Sequence, residues 1–306
     1  MATREEINKE KFDEIMNEEL REKRKKIVIF IFKLTLFIVI FMVSIFLYTT
    51  YCSTKGLIIK EERIINKKIP NTFNGFKIIQ VSDIHYGTTV FEDDMKLLVK
   101  EINLRKPDLV VFTGDLIDKD YHLNNKEQEL LITQLKKIEA TIGKYAISGE
   151  EDKEQFTTIL NQGEFLILSN DYDLVYVNDN NPILLVGLAS ELSGNRDIDK
   201  AYDYFNLESH NSDIYTICLL HETNSIDEIL SKYKTDLFLA GHSHNGQIRI
   251  PFIGSISKVK GSEQYFDEFY QLDNSKVYVS SGIGTNGAGF RLFDRPSINF
   301  FRLSSK

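Results

Sequence analysis

Seven side chains in this sequence have the types and the placement to hold cations: Asp83, His85, Asp115, Glu150, His221, His242 and His244. Each comes after a short apolar run of the kind that forms a buried strand. Asp83 and His85 are two residues apart, as are His242 and His244. In extended backbone, residues i and i+2 face the same side, so each pair can aim at one locus. Carboxylate oxygens and imidazole nitrogens suit divalent transition metals. Three carboxylates and four imidazoles are enough for a two-metal site. Such a site holds cations roughly 3.5–4 Å apart, clamps the attacking and leaving oxygens of an in-line displacement, and makes a bound water acidic. A lone histidine after a strand is more often a packed core residue. Here a set of strand ends carries the reading, not one position.

The elements that must position these residues alternate from residue 76 onward. Strands are expected over 76–81, 109–112 and 145–147, with amphipathic helices over 91–104, 126–141 and 154–160. The second half reads as strands over 165–168, 174–177, 183–188, 214–220, 237–240, 247–250, 277–280 and 298–302. Helices are expected near 198–205 and 225–233. βαβ units with hairpins after them suggest sheets covered by helices, and open α/β sheets place ligands at the carboxyl ends of their strands. No linker interrupts this half, so 76–306 reads as one domain. Residues 49–75 form a link containing an edge strand. The pattern Gly282-Ile283-Gly284-Thr285-Asn286-Gly287 resembles a dinucleotide-binding turn, but Phe290 to Pro296 leave no room for the required helix.

The N-terminal part has a different character. Residues 1–26 are a charged tail ending in Arg21, Lys23, Arg24, Lys25 and Lys26. Residues 27–48 are almost wholly apolar. At about 1.5 Å per residue they span roughly 33 Å, enough for a bilayer core. With the basic cluster before the apolar run, the positive-inside rule expects a single-pass cell-membrane protein with a cytoplasmic N-terminus and an extracytoplasmic domain. A cleaved signal peptide fits poorly, because no small-residue cleavage site comes after the run. The two cysteines, Cys52 and Cys218, make no disulfide framework. The formal charge is −8, and it is carried by the part after the apolar run. An acidic body argues against nucleic-acid binding, which phosphate neutralisation drives.

Taken in order, Asp83-Ile84-His85, Gly114-Asp115, Gly149-Glu150-Glu151-Asp152, His221 and Gly241-His242-Ser243-His244 resemble the motifs of the calcineurin-like metallophosphoesterase superfamily. The stretch Gly246–Pro251, the run Ser280–Thr285 and Arg291 look like its membrane-associated bacterial branch. The resemblance implies an α/β (α+β) fold: a two-sheet β-sandwich flanked by helices. It implies two divalent metal ions (Mn, Fe or Zn). Asp83, His85, Asp115 and His244 would surround one, and Asp115, His221, His242 and Glu150 the other. It further implies a phosphoesterase acting on phosphate mono- or diesters or pyrophosphates by metal-hydroxide attack. Arg291 is a candidate to contact substrate, with a surface salt bridge as its alternative. An anchored domain favours lipid or cell-envelope phosphoesters.

The third motif departs from the family, which has Asn and His where this chain has Glu150 and Glu151. Glu150 can still donate oxygen, but a third ligand carboxylate leaves about +1 rather than about +2 on two divalent ions. A less positive pair polarises phosphate less. Glu151 would repel a phosphate if ionised, and acts as a catalytic acid only if burial or the neighbouring Glu150 keeps it protonated. The alternative is a metal-binding but catalytically weak or inactive scaffold or binding module.

Overall fold

A computed structural model describes residues 3–178, 180–208, 210–256, 258–287 and 289–306. The chain divides into two compact units at Thr49/Thr50. The first is a continuous helix, α1 (Arg4–Leu47), of 44 residues. Thr3 and Glu6 cap its start reciprocally: Thr3 N donates to Glu6 Oε2 and Glu6 N to Thr3 Oγ1. The charged tail and the apolar run are therefore one helix. Apolar side chains lie exposed all round its second half, Phe30, Phe32, Phe37 and Phe41 among them. A helix apolar on every side is built for an apolar surrounding. Among the described residues it alone is long and apolar enough to cross a membrane.

The second unit carries, in chain order, β1 (Ile58–Ile65), β2 (Lys77–Val81), α2 (Glu92–Arg105), β3 (Leu109–Thr113), α3 (Asn125–Lys136), β4 (Gly143–Ile147), α4 (Glu154–Gln162), β5 (Leu166–Ile167), β6 (Asp171–Val175) and β7 (Ile183–Gly187). Then come α5 (Ile198–Ala201), β8 (Thr216–Leu220), α6 (Ile226–Lys232), β9 (Leu237–Ala240), β10 (Arg249–Ile250), β11 (Gly254–Ser255), β12 (Phe269–Leu272), β13 (Ser275–Val279) and β14 (Ser297–Ser304). One six-stranded sheet has the order β1-β14-β2-β3-β4-β5, and the other β12-β13-β9-β8-β7-β6. Within each sheet four adjacent strands run parallel: β2, β3, β4 and β5 in one, β13, β9, β8 and β7 in the other.

Strand alternation builds the layers. Ile78 faces the opposite sheet while Ile79 faces the helices on the outside, as a period of two requires. The layer between the sheets joins Leu109, Val111 and Ile147 of the first to Leu185, Ile217, Leu219 and Leu239 of the second. Outside the first sheet, Met95, Leu98, Leu131, Leu135 and Phe156 of α2, α3 and α4 cover Ile79, Val110 and Phe112. Outside the second, Ile198, Ile226 and Ile229 cover Leu184, Cys218 and Phe238. This is the two-sheet sandwich flanked by helices.

Two local departures from the sequence expectation have plain causes. The helix expected over 126–141 stops at Lys136. Asn103 stops it from outside, donating to Lys137 O at 2.8 Å and accepting from Glu139 N at 3.0 Å. The strand β12 carries no obvious sequence signal. It is an edge strand of alternating exposure, held as a hairpin to β13.

Candidate metal centre

The parallel strands of both sheets deliver their carboxyl ends to one place. Asp83 comes after β2, Asp115 after β3, Glu150 after β4, His221 after β8, and His242 after β9. Gln80 fixes the two sheets together just below: its amide donates to Ala240 O at 2.8 Å and to Thr113 Oγ1 at 3.1 Å. His221 adds a second cross-sheet link, with Nδ1 2.6 Å from Thr113 O.

The seven donors expected from the sequence come together. One group, with ligand atoms within 4.8 Å of one another, is Asp115, Glu150, His221 and His242; a second is Asp83, His85 and His244. Asp115 touches both, with Oδ2 3.2 Å from His221 Nε2 and 3.7 Å from His85 Nε2. Glu150 spans two imidazoles, 2.8 Å from His221 Nε2 and 2.9 Å from His242 Nδ1. One expectation is corrected. His242 and His244 do not aim at a single locus, as strand alternation suggests, but divide between the two groups in the way the resemblance implies. The reason is backbone: both have positive φ, 66° and 49°, so the strand rule for i and i+2 does not apply to them.

The chemistry of these contacts fits cations. Asp83 Oδ2, Asp115 Oδ2, Glu150 Oε2, His221 Nε2 and His242 Nδ1 are buried and make no hydrogen bond among the described residues. Several sit within 3.2 Å of each other, but without hydrogen-bond geometry. Buried polar atoms are otherwise almost always paired. Donors that crowd together without bonding one another are arranged for something between them. The outward ring nitrogens are occupied: His85 Nδ1 lies 3.1 Å from Glu151, and His242 Nε2 lies 2.7 Å from Lys260 O. Such outer contacts set which nitrogen faces a metal.

The electrostatics of the cage have the same layout. Burial pushes the His85 imidazole down, but the Glu151 hydrogen bond and the Asp115 and Asp83 charges outweigh it and raise it to about 9. His221 is likewise raised against its burial, chiefly by Asp115. His242 is raised against burial by Glu150. Burial pushes Glu150 up, but the His221 and His242 imidazoles beside it outweigh that and lower it. His244 goes the other way: burial, then the charges of His85 and Arg291, hold it well below its usual range. The carboxylates thus pull the imidazoles beside them towards positive charge, and a cation held there would meet the same field, taking each imidazole in its neutral form.

Two residues sit differently from their sequence expectation. Glu151, expected as a proton donor, has its carboxylate behind His85, where it also accepts from Lys119 N at 3.0 Å. Arg291, expected to touch substrate, is fully buried. Its guanidinium donates to Ser281 O and Gly284 O, pairs with Asp294 at 3.0 Å, and lies 3.3 Å from His244 Nδ1. Both side chains contact imidazoles, and Glu151 also forms, with His85 and Asp115, a third group of donors within 4.8 Å of one another. Asp152 has a role that sequence reasoning did not assign. Its carboxylate accepts from Gly149 N, Asp115 N and Leu116 N at 2.8 Å each. Burial, then the Asp115 charge, raises it to about 7. The signal for it was the carboxylate that ends the third motif.

The family model for calcineurin-like phosphoesterases matches residues 76–246, which contain all seven donors. The chain belongs to the calcineurin-like phosphoesterase family. This phosphoesterase-family chain is 32% identical over 264 residues to a Bacillus subtilis protein described as uncharacterized metallophosphoesterase YkuE, covering 84% of this chain and 89% of that one. It is 30% identical over 297 residues to uncharacterized metallophosphoesterase Cj0846 of Campylobacter jejuni, covering 94% and 74%. It is 27% identical over 248 residues to a Bos taurus transmembrane protein with metallophosphoesterase domain, covering 76% and 53%. The metallophosphoesterase family uses metal ions, and the clustered donors meet that requirement.

Gly149 is where the cage has least room. A Cβ there would lie 2.1 Å from Asp115 Oδ1 and 2.8 Å from His221 Cε1. Gly149→Ala is expected to leave the far-ultraviolet circular dichroism unchanged while lowering the number of bound divalent ions, as read by elemental analysis after dialysis.

Proposed function

We propose that this protein is a membrane-anchored phosphoesterase that works with two divalent cations, Mn, Fe or Zn. The observation that supports this most directly is the set of five buried, unbonded donor atoms brought to one place by five different strand ends. Asp83, His85 and His244 would hold one cation, Glu150, His221 and His242 the other, and Asp115 would lie between them. When bound, the cations supply Lewis acidity and an activated water for in-line displacement at phosphorus. The residues supply the geometry. Glu151 and Arg291 orient His85 and His244, Thr113 O orients His221, and Asp152 holds the Asp115 backbone in place. The substrate class is a phosphate mono- or diester or a pyrophosphate, with lipid and cell-envelope phosphoesters favoured by anchoring.

The test is the full chain in detergent, loaded with Mn²⁺ and given a chromogenic phosphodiester and a lipid phosphoester. Asp115→Ala is expected to lose at least the roughly 10–100-fold that removal of a supporting contact costs at a metal site. Absence of turnover from about pH 5 to about pH 9 with both cations bound would favour a second reading, a metal-holding binding module. The Glu150 carboxylate motivates that reading, because it lowers the net charge of the centre. Glu150→Asn tests the charge argument without disturbing the Glu151 contact to His85. An increase of about tenfold in rate is expected, and a decrease contradicts the charge argument.

Anchoring is supported by α1, which is long and apolar enough to cross a bilayer, and by the likeness to a transmembrane relative. The basic cluster before the apolar run favours a cytoplasmic N-terminus with the domain on the other side. Protease added to intact cells is then expected to digest the domain and spare the N-terminal tail.

A further inference from the structure

We infer that the β10–β11 hairpin is an apolar wedge that enters a lipid surface beside the metal centre. This rests on the membrane reading of α1. The hairpin has only two paired positions, Arg249 with Ser255 and Ile250 with Gly254. Its tip is therefore narrow: Pro251, Phe252 and Ile253. Phe252 is fully exposed, Ile253 is 74% exposed, and Ile256 beyond the hairpin is 57% exposed. Phe293, 60% exposed, joins them. The segment before it is bonded along the hairpin's root, with Arg249 N to Leu292 O at 2.9 Å and Leu292 N to Gln247 O at 3.1 Å. Phe293 and the hairpin line one shallow cavity. A folded domain rarely leaves large apolar side chains together in water without a use. Phe252 also has φ of 68°, a conformation that aromatic residues seldom adopt.

Area, charge and reach select a bilayer as the occupant. A stable protein interface needs about 800 Å² on each partner, more than a three-residue tip can offer. A lipid surface asks for no matching shape, only for apolar groups to bury and cations to meet its phosphates. Lys260 lies in the same segment and its carbonyl contacts His242 Nε2 at 2.7 Å, Lys258 has its ammonium 4.5 Å from the centre of the Phe266 ring, and Asp267 beside the hairpin is paired with Arg249. The chain between the end of α1 at Leu47 and the start of β1 at Ile58 extends at most roughly 35 Å. A bilayer holding α1 therefore keeps the domain close to its surface. The root of the hairpin at Gln247 is three residues from His244. A phosphoester whose organic part lies in the bilayer would thus meet the wedge and the cage together.

The chain has no tryptophan, so one added indole reports alone. The full chain carrying Phe252→Trp is reconstituted into phosphatidylcholine–phosphatidylglycerol vesicles, with and without brominated acyl chains. Tyr176→Trp is the control. Tyr176 comes after β6, where Val175 pairs with Ile183 at the start of β7, so it lies at the opposite end of the sheet from the metal centre. The expected result is a blue-shifted emission for Phe252→Trp that brominated lipid reduces by roughly half, with the control unaffected. Ile253→Trp should behave as Phe252→Trp does, and serves if the first variant does not fold. A water-like, unquenched emission from protein that floats with the vesicles overturns the wedge and leaves the anchor standing. A blue shift without bromine quenching means the tip is buried in protein, and equal quenching of the control means general adsorption; either overturns the proposal. Failure to float removes the anchor and the wedge together.

Discussion

The domain is arranged around an electrostatic problem. Three carboxylates and four imidazoles are gathered in neighbouring groups, all of them buried but Glu150, which is partly so. Charges in such a place are costly unless opposite charge sits among them. Much of the surrounding architecture reads as a response. Each imidazole has its remote nitrogen placed against a chosen neighbour: Glu151, Thr113 O, Lys260 O or the Arg291 guanidinium. With the remote atoms occupied, the near ones have no direction left but inward. The cage is thus set before any ion arrives, and the ion meets little reorganisation.

Backbone geometry sharpens the same point. Asp83, His85, Asp115, His242 and His244 all have positive φ, between 43° and 66°. Non-glycine residues persist there only where surroundings over-determine them. The surroundings here are neighbouring strand-end loops that lock into one another. Asp83 N donates to Gly114 O and Ile84 N to Asp115 O, while Ile283 N and Gly284 N donate to Asp83 O. Asp152 gathers three amides from two of those loops. Unfavourable local conformations at the cage are therefore shared among several loops instead of resting on one.

What was legible in the sequence, and what was not, divides along this line. Strands such as Leu109–Thr113 and Leu237–Ala240 announce themselves because burial on both faces demands unbroken apolar runs. The donors announce themselves because polar groups rarely come after such runs so regularly. The directions of side chains in left-handed loops leave no periodic trace. Hence strand alternation misled for His242 and His244, whose division only the motif resemblance indicated, and the placement of Glu151 behind His85 and the burial of Arg291 came from the fold alone. Gln80 was hidden for a related reason. It sits inside an otherwise apolar strand, and its partners come from another sheet and from β3.

The outermost strand of the first sheet has one further consequence. β1 makes its ladder with β14 alone, pairing Ile58 with Ser297 and so on to Ser304, about 240 residues downstream. Closing that span is slow, because so much chain entropy is lost before any bond compensates. During synthesis, β1 must wait, unpaired, until β14 has left the ribosome. An open strand edge is an invitation to wrong pairing, and charged residues along it are a general safeguard; β1 carries four in a row, Lys60, Glu61, Glu62 and Arg63.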